Sequence, residues 1–411
     1  MTTMLYYLTP QTGHVFPLVP TWLELRRRGH RVVVRCGPDH VAMLQELGLD
    51  ADAVAPGIVA RTQDDWRARS PIGALRRSMR TFLDRSALEV DDLRAAIAAE
   101  SPDALVVDAL CWGAGCLAET TGLPWAWSAP FPLALESRDL PPPGLGLAPG
   151  SGTGAFGAVR DAGLRATARW FWRPTLLELN RLRAELGAPN IASMDELWSA
   201  RAPLTLVHMA EPLEYPRTDW PSTVRLVGPG VWSPPAEAPP WLDGLPAPLV
   251  LVSCSTERQG DERLATVALE ALADLDVSVV VTTAAADVDH WSVPPNARVE
   301  RFISHGALMS RAACVVCPGG MGTVHAALTA GVPVVAVPFG RDQPEVARRV
   351  EVAGVGVRLP ASRLSPARLR AAVTQAMTLT PRAAEVGAQL QAAAAQHRAA
   401  DAVETLIPAV R

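Results

Sequence analysis

A chain of 411 residues that is 49% hydrophobic and 19% charged can bury a large core, and its length favours two domains over one or four. A net charge of −4 argues against nucleic acid or an anionic membrane as a partner and for small molecules, because the former leave a basic patch. All 38 basic residues are arginine, which excludes a Walker A loop, a pyridoxal enzyme and a Schiff-base aldolase, since each needs a lysine amine.

In chain order, residues 4–8 read as a buried strand, and 16–28 carry apolar residues at helical spacing, stopped by Gly29 before a second strand at 31–35. Residues 103–107 repeat the strand pattern, followed by Asp108 and a helical stretch at 113–121. Alternating strands and helices predict a parallel sheet. Proline and glycine mark a surface loop at 140–157, after which 160–186 read as helix. A cluster from Gly228 to Pro240 breaks every pattern, so the expected division is a first domain at 1–226, a linker at 227–248 and a second domain at 249–411. Strands at 249–253, 277–282, 314–317 and 332–338 restart the rhythm, and the alanine-rich 383–406 predicts one or two helices. The fold class is therefore α/β, with two Rossmann-like domains.

Six scattered cysteines (Cys36, Cys111, Cys116, Cys254, Cys314 and Cys317) form no disulfide framework and suggest reduced thiols in the cytoplasm. The start lacks a signal pattern, and no apolar run reaches the roughly 20 residues that span a bilayer. No nucleic-acid or membrane partner is expected.

Gly13 and His14 end the first strand unit, where ligands of open α/β sheets bind. A histidine there can accept a proton near neutral pH. Asp108 ends another strand of the same domain, so a carboxylate could orient the imidazole from its far nitrogen; the plainer role for Asp108 is a helix cap. The second candidate, Pro318-Gly319-Gly320-Met321-Gly322-Thr323, lies between a strand and a helix. Glycines there let backbone amides approach a diphosphate at a helix N-terminus; the alternative is an ordinary tight turn. Three other matches are set aside. The GxGxxG at 152–157 follows no strand. Cys314 and Cys317 sit three apart in one strand and so face opposite sides. Asp287-Val288-Asp289 before His290 is a polar loop, and no metal is expected to bind there.

With these residues in hand, the chain resembles glycosyltransferase family 1 of the GT-B fold, in particular its bacterial natural-product members. Phe302-Ile303-Ser304-His305, the glycine turn from Cys317, Gly331-Val332-Pro333 and Pro338-Phe339-Gly340-Arg341-Asp342-Gln343 follow one another in that family's order. Gly13-His14-Val15-Phe16-Pro17 is similar to its opening motif, and Val227-Gly228-Pro229 to its linker. The resemblance implies two domains facing across a cleft, His14 as general base and Asp108 as its orienting carboxylate. It implies a donor site of Gly13, Ser253, Ser255, Thr256, Phe302, Ile303, Pro318, Gly319, Gly320, Gly322, Thr323, Asp342 and Gln343. Phe302 would stack on the base, Ile303 would meet it through backbone, Gly319 to Thr323 would hold the diphosphate, and Asp342 with Gln343 the sugar hydroxyls.

The implied activity is inverting, metal-independent transfer of a hexose, often a deoxyhexose, from a nucleotide-sugar to a hydrophobic aglycone in antibiotic biosynthesis. The nucleotide-sugar is a co-substrate, and no resident cofactor is expected. Pro318 stands where the family usually has a histidine, Ser255 where it has glycine and Ser304 where proline is common. Ala326 replaces a ribose-binding glutamate of plant relatives, which favours a TDP-sugar over a UDP-sugar. Eight of 12 tryptophans precede residue 200; Trp66, Trp112, Phe131 and Trp170 are the expected acceptor contacts. The chain is compatible with a homodimer. The rival readings are a sugar-nucleotide epimerase and an inactive helper protein.

Overall fold

The apolar runs become strands, because a parallel strand covered by helices on both faces can be hydrophobic at every position. The computed structural model describes residues 1–152, 154–235, 237–284 and 291–407; Asp287-Val288-Asp289-His290 lies outside them. The first sheet contains β1 (Thr3–Tyr7), β2 (Arg31–Cys36), β3 (Asp50–Ala53), β4 (Ala104–Asp108), β5 (Trp125–Ala129), β6 (Leu204–Val207) and β7 (Val224–Leu226). The second contains β8 (Leu249–Ser253), β9 (Ser278–Thr282), β10 (Ala297–Glu300), β11 (Ala312–Cys317), β12 (Val334–Ala336) and β13 (Gly356–Arg358). Their orders are β3-β2-β1-β4-β5-β6-β7 and β10-β9-β8-β11-β12-β13, and the pairs are parallel. In each sheet the strand order reverses once, between β1 and β4 and between β8 and β11. Such a reversal opens a crevice at the carboxyl ends of the two strands. His14 follows β1 and Asp108 ends β4, while Ser253 ends β8 and Pro318 follows β11. Topology alone thus gathers the two predicted clusters.

Three expectations are corrected. The stretch predicted as one helix from 16 begins earlier and is broken into Thr12–Val15, a 3₁₀ turn Phe16–Leu18 and Val19–Arg27. Pro17 and Pro20 cannot donate within a helix but suit its first turn, so each restarts one. His14 consequently sits on a short helix. Residues 154–157 were expected in the surface loop, yet Gly154–Glu185 is one helix that accommodates Pro174. The last segment forms two helices as expected, Thr380–Ala394 and Arg398–Glu404, but the second packs on the first sheet's domain and not within 249–411. Ala399, Ala400 and Val403 pack into the core of Tyr6, Trp22 and Val34 in the first sheet's domain. Arg28 and His30 hold it there through Asp401 and Glu404.

Cys314 joins the core on one face of the second sheet and Cys317 the core on the other, as their spacing in β11 predicts. All six cysteines are buried and unpaired. Among the described residues no helix is long and apolar enough to cross a membrane.

Candidate active site

Both strand-order reversals open onto one cleft of roughly 2140 Å³, about twice what a single small-molecule site usually needs, so two ligands fit side by side. On the β1 side, Asp108 Oδ2 lies 2.6 Å from His14 Nδ1. Asp108 is fully buried and His14 is 12% exposed. A carboxylate only accepts, so Nδ1 carries the proton and Nε2 keeps its lone pair. The second oxygen, Oδ1, accepts the Leu110 amide at 2.8 Å, which fixes the carboxylate without a helix-cap role, since Cys111 is the residue preceding helix Trp112–Ala118. Phe131, just beyond β5, places its ring 5.6 Å from the imidazole. A side chain built at Gly13 would meet no protein atom within 4 Å, so the space over it belongs to the cleft.

On the β11 side, Pro318 ends the strand and Gly319 turns the chain at φ +96°, a conformation only glycine takes without strain. Gly320 then opens helix Met321–Thr329 with no side-chain cap. Among the described residues its first amides have no partner, and Gly320, Gly322 and Thr323 line the cleft, so the turn has the form of an anion cradle. Ser253, Ser255 and Thr256 line the same cavity; the Ser255 amide is tied to Asp261 Oδ2 at 2.7 Å. Phe302 is 63% exposed into it, and Ile303 beside it is buried. Ala326 also faces it.

Asp342 and Gln343 reach the cleft, but they are not equivalent. Burial pushes the Asp342 carboxyl upward, against its own backbone amide, His14 and Arg341. Gln343 Oε1 accepts the amides of Phe339 and Gly340, and Nε2 donates to Gln259. That side chain braces the turn and keeps one N–H for a ligand, a smaller part than the sequence suggested.

Of the four aromatic residues expected as acceptor contacts, two line the cleft and two do not. Trp112 and Phe131 line the cleft, Trp112 packing edge-on against Phe82 with centroids 5.2 Å apart. Trp170 does not: Phe171 and Trp172 face the cavity, and the 100° step of the helix turns Trp170 outward to 67% exposure. Trp66 also turns away, its ring lying between the guanidinium groups of Arg67 and Arg258. Met79, Met194 and Trp198 complete an apolar pocket.

Among the charged residues of the cleft that sequence reasoning missed are Asp65, Arg341 and Glu257. Burial raises the Glu257 carboxyl, opposed by Arg341, His14 and the Thr12 amide across the cleft. Arg341 lies within the named motif ending at Gln343 and Glu257 adjoins the one ending at Thr256, whereas Asp65 lies in a stretch, 61–70, with neither glycine nor motif. Among the described residues no three His, Cys, Asp or Glu side chains gather as metal ligands do.

The family described as erythromycin biosynthesis protein CIII-like, C-terminal domain, matches residues 266–408. Over 385 residues the chain is 36% identical to 4'-demethylrebeccamycin synthase of Lentzea aerocolonigenes, covering 89% of each. It is similar in structure to CalG4, the calicheamicin glycosyltransferase, with a TM-score of 0.73 at 23% identity over 100% of this chain and 99% of that one. It is also similar to the spinosyn rhamnosyltransferase SpnG complexed with thymidine diphosphate, with a TM-score of 0.69 at 16% identity over 97% and 100%.

Proposed function

The chain belongs to the natural-product glycosyltransferases of family 1 and has their GT-B fold, and from that premise we propose that it is an inverting, metal-independent hexosyltransferase using a TDP-sugar and an apolar aglycone. The observation that carries the reading is the His14–Asp108 pair at 2.6 Å, facing the same cleft as an uncapped helix N-terminus. His14 Nε2 takes the proton of an acceptor hydroxyl as that oxygen attacks the anomeric carbon. The bond to the nucleoside diphosphate breaks on the opposite face, so one displacement inverts the centre. Asp108 balances the charge that develops on the imidazole. The departing diphosphate meets the amides that open helix Met321–Thr329 and the positive end of its dipole. These act without a cation, and Pro318 adds no charged donor.

Phe302 offers a face for the base, and Asp342 an acceptor for sugar hydroxyls. The TDP preference rests on Ala326, which cannot hydrogen-bond a ribose 2′-hydroxyl, and is supported by the thymidine diphosphate bound to SpnG. Six unpaired buried thiols support a cytoplasmic site of action. Calorimetry with TDP and UDP in the presence of EDTA tests the donor half of the reading. Tight TDP and weak UDP binding is expected. No binding of either would leave an inactive helper as the better account.

A further inference from the structure

Segment 64–67, at the edge of the acceptor pocket, is gripped by the opposite domain at two points. The Asp65 carboxylate, 7% exposed, takes Arg341 Nε at 2.9 Å and Nη2 at 2.8 Å, a two-pronged ion pair between residues 276 apart. Among the described residues no other side chain pairs with that carboxylate. One residue later, the Trp66 ring lies 4.5 Å from the Arg258 guanidinium. Arg341 holds φ +56°, beside Gly340, in a conformation that only glycine adopts freely. Such strain persists where the surroundings impose it.

Each partner leads to a different ligand. Arg341 precedes Asp342 and Gln343, and Gln343 ties that turn to Gln259 in the loop that carries Ser255 and Thr256. Asp65 begins the turn Asp65–Arg67, which runs into Ser70, the cap of helix Pro71–Glu100. Ile72, Leu75, Met79 and Phe82 of that helix form one side of the acceptor pocket. We propose that Asp65 and Arg341 are positioning residues, a clasp through which an occupied nucleotide site orders the acceptor wall. The inference rests on the glycosyltransferase reading above for the identity of the nucleotide. The side chains are spent on each other; the pair transmits occupancy, and a coupling of this kind must act in both directions.

The test is hydrogen exchange in the full-length protein over residues 61–77, with and without TDP, in wild type and in Asp65→Asn, Arg341→Lys and Arg341→Gly. Arg341→Gly suits the left-handed backbone, so it removes the ion pair without adding strain. In wild type, TDP should slow exchange of 61–77 by about tenfold. In Asp65→Asn and Arg341→Gly the slowing should fall below about twofold while TDP still binds within about threefold of wild type, and Arg341→Lys should recover part of it. A residue that merely stabilised the fold would not make protection depend on nucleotide. Bound TDP without a change at 61–77, or unchanged protection in Arg341→Gly, overturns the clasp. A protein that binds neither TDP nor UDP sinks the glycosyltransferase reading instead. The ion pair is then judged by exchange of the free wild type against Arg341→Gly, and equal rates overturn it.

Discussion

Asp108→Asn isolates the carboxylate that holds the imidazole, because it changes one atom of a fully buried group. Asp108 accepts two hydrogen bonds, from His14 Nδ1 at 2.6 Å and from the Leu110 amide at 2.8 Å. An asparagine has one acceptor, so keeping its oxygen on His14 strands the Leu110 amide, at a cost of about 1–3 kcal/mol. With its NH₂ towards His14, the asparagine forces the ring proton onto Nε2 and removes the base. With its oxygen towards His14, the tautomer survives but the developing imidazolium loses its counter-charge. Either path should lower kcat by about 10³-fold, or about 4 kcal/mol of transition-state stabilisation. Asp108 does not line the cleft, so TDP affinity should stay within about twofold of wild type. A screen of TDP- and UDP-hexoses against polycyclic phenols supplies the working pair. Single-turnover rates then compare wild type, His14→Ala, Asp108→Asn and the double variant. The double variant should be no slower than His14→Ala, because the two residues act as one unit. Asp108→Asn turning over within about tenfold of wild type, alongside a His14→Ala that is nearly inert, would refute the orienting role.

Burial holds the Glu89 carboxyl up to about 8, opposed by the amides of Gly113 and Ala114, which it accepts. The folded chain keeps a proton that the unfolded chain releases, so stability should fall as pH rises from about 4.5 towards about 8. Glu89→Gln retains an acceptor and should match wild type near pH 5 but exceed it near pH 8 by on the order of 1–3 kcal/mol; parallel urea-unfolding curves across that range would count against it. A methyl at Gly115 would lie 1.7 Å from Trp127 and one at Gly230 1.7 Å from the Pro17 carbonyl, whereas one at Gly13 meets nothing within 4 Å. Thermal melting should therefore drop by about 5 °C or more for Gly115→Ala and Gly230→Ala. Gly13→Ala should melt as wild type yet lose turnover, and an unchanged rate would show that no ligand uses that space. Ala326→Glu should raise UDP affinity relative to TDP by about fivefold, because a carboxylate can accept the ribose hydroxyl; an unchanged ratio in calorimetry argues that residue 326 does not face the ribose.

The alternation of buried strands with helices was legible because parallel strands are hydrophobic throughout and each unit is local in sequence. The cluster of His14, Asp108 and the turn after Pro318 was legible for the same reason: strand ends are set by the strands. Long-range choices were not. Nothing in the spacing of Asp65 selects Arg341 among 38 arginines, and the pairing exists only once both domains are folded. Trp170 and Trp172 differ by two positions, yet one is solvent-exposed and the other lines the pocket, because helical phase depends on where the helix begins. The alanine-rich tail announced helices but not their destination, since an amphipathic stripe does not specify which core receives it.

That destination governs how the protein can be recombined. The chain crosses between domains near Gly230 and again before Arg398, so the boundary is cut twice although the sequence reads as a single join. A chimera that grafts another enzyme's sugar-binding half after residue 226 would leave the surface around Trp22 and Val34 without Ala400 and Val403. It would also leave Arg28 without Asp401 and Glu404. Hybrid enzymes should therefore carry two pieces of this chain, 1–226 and residue 398 onwards, around one foreign insert.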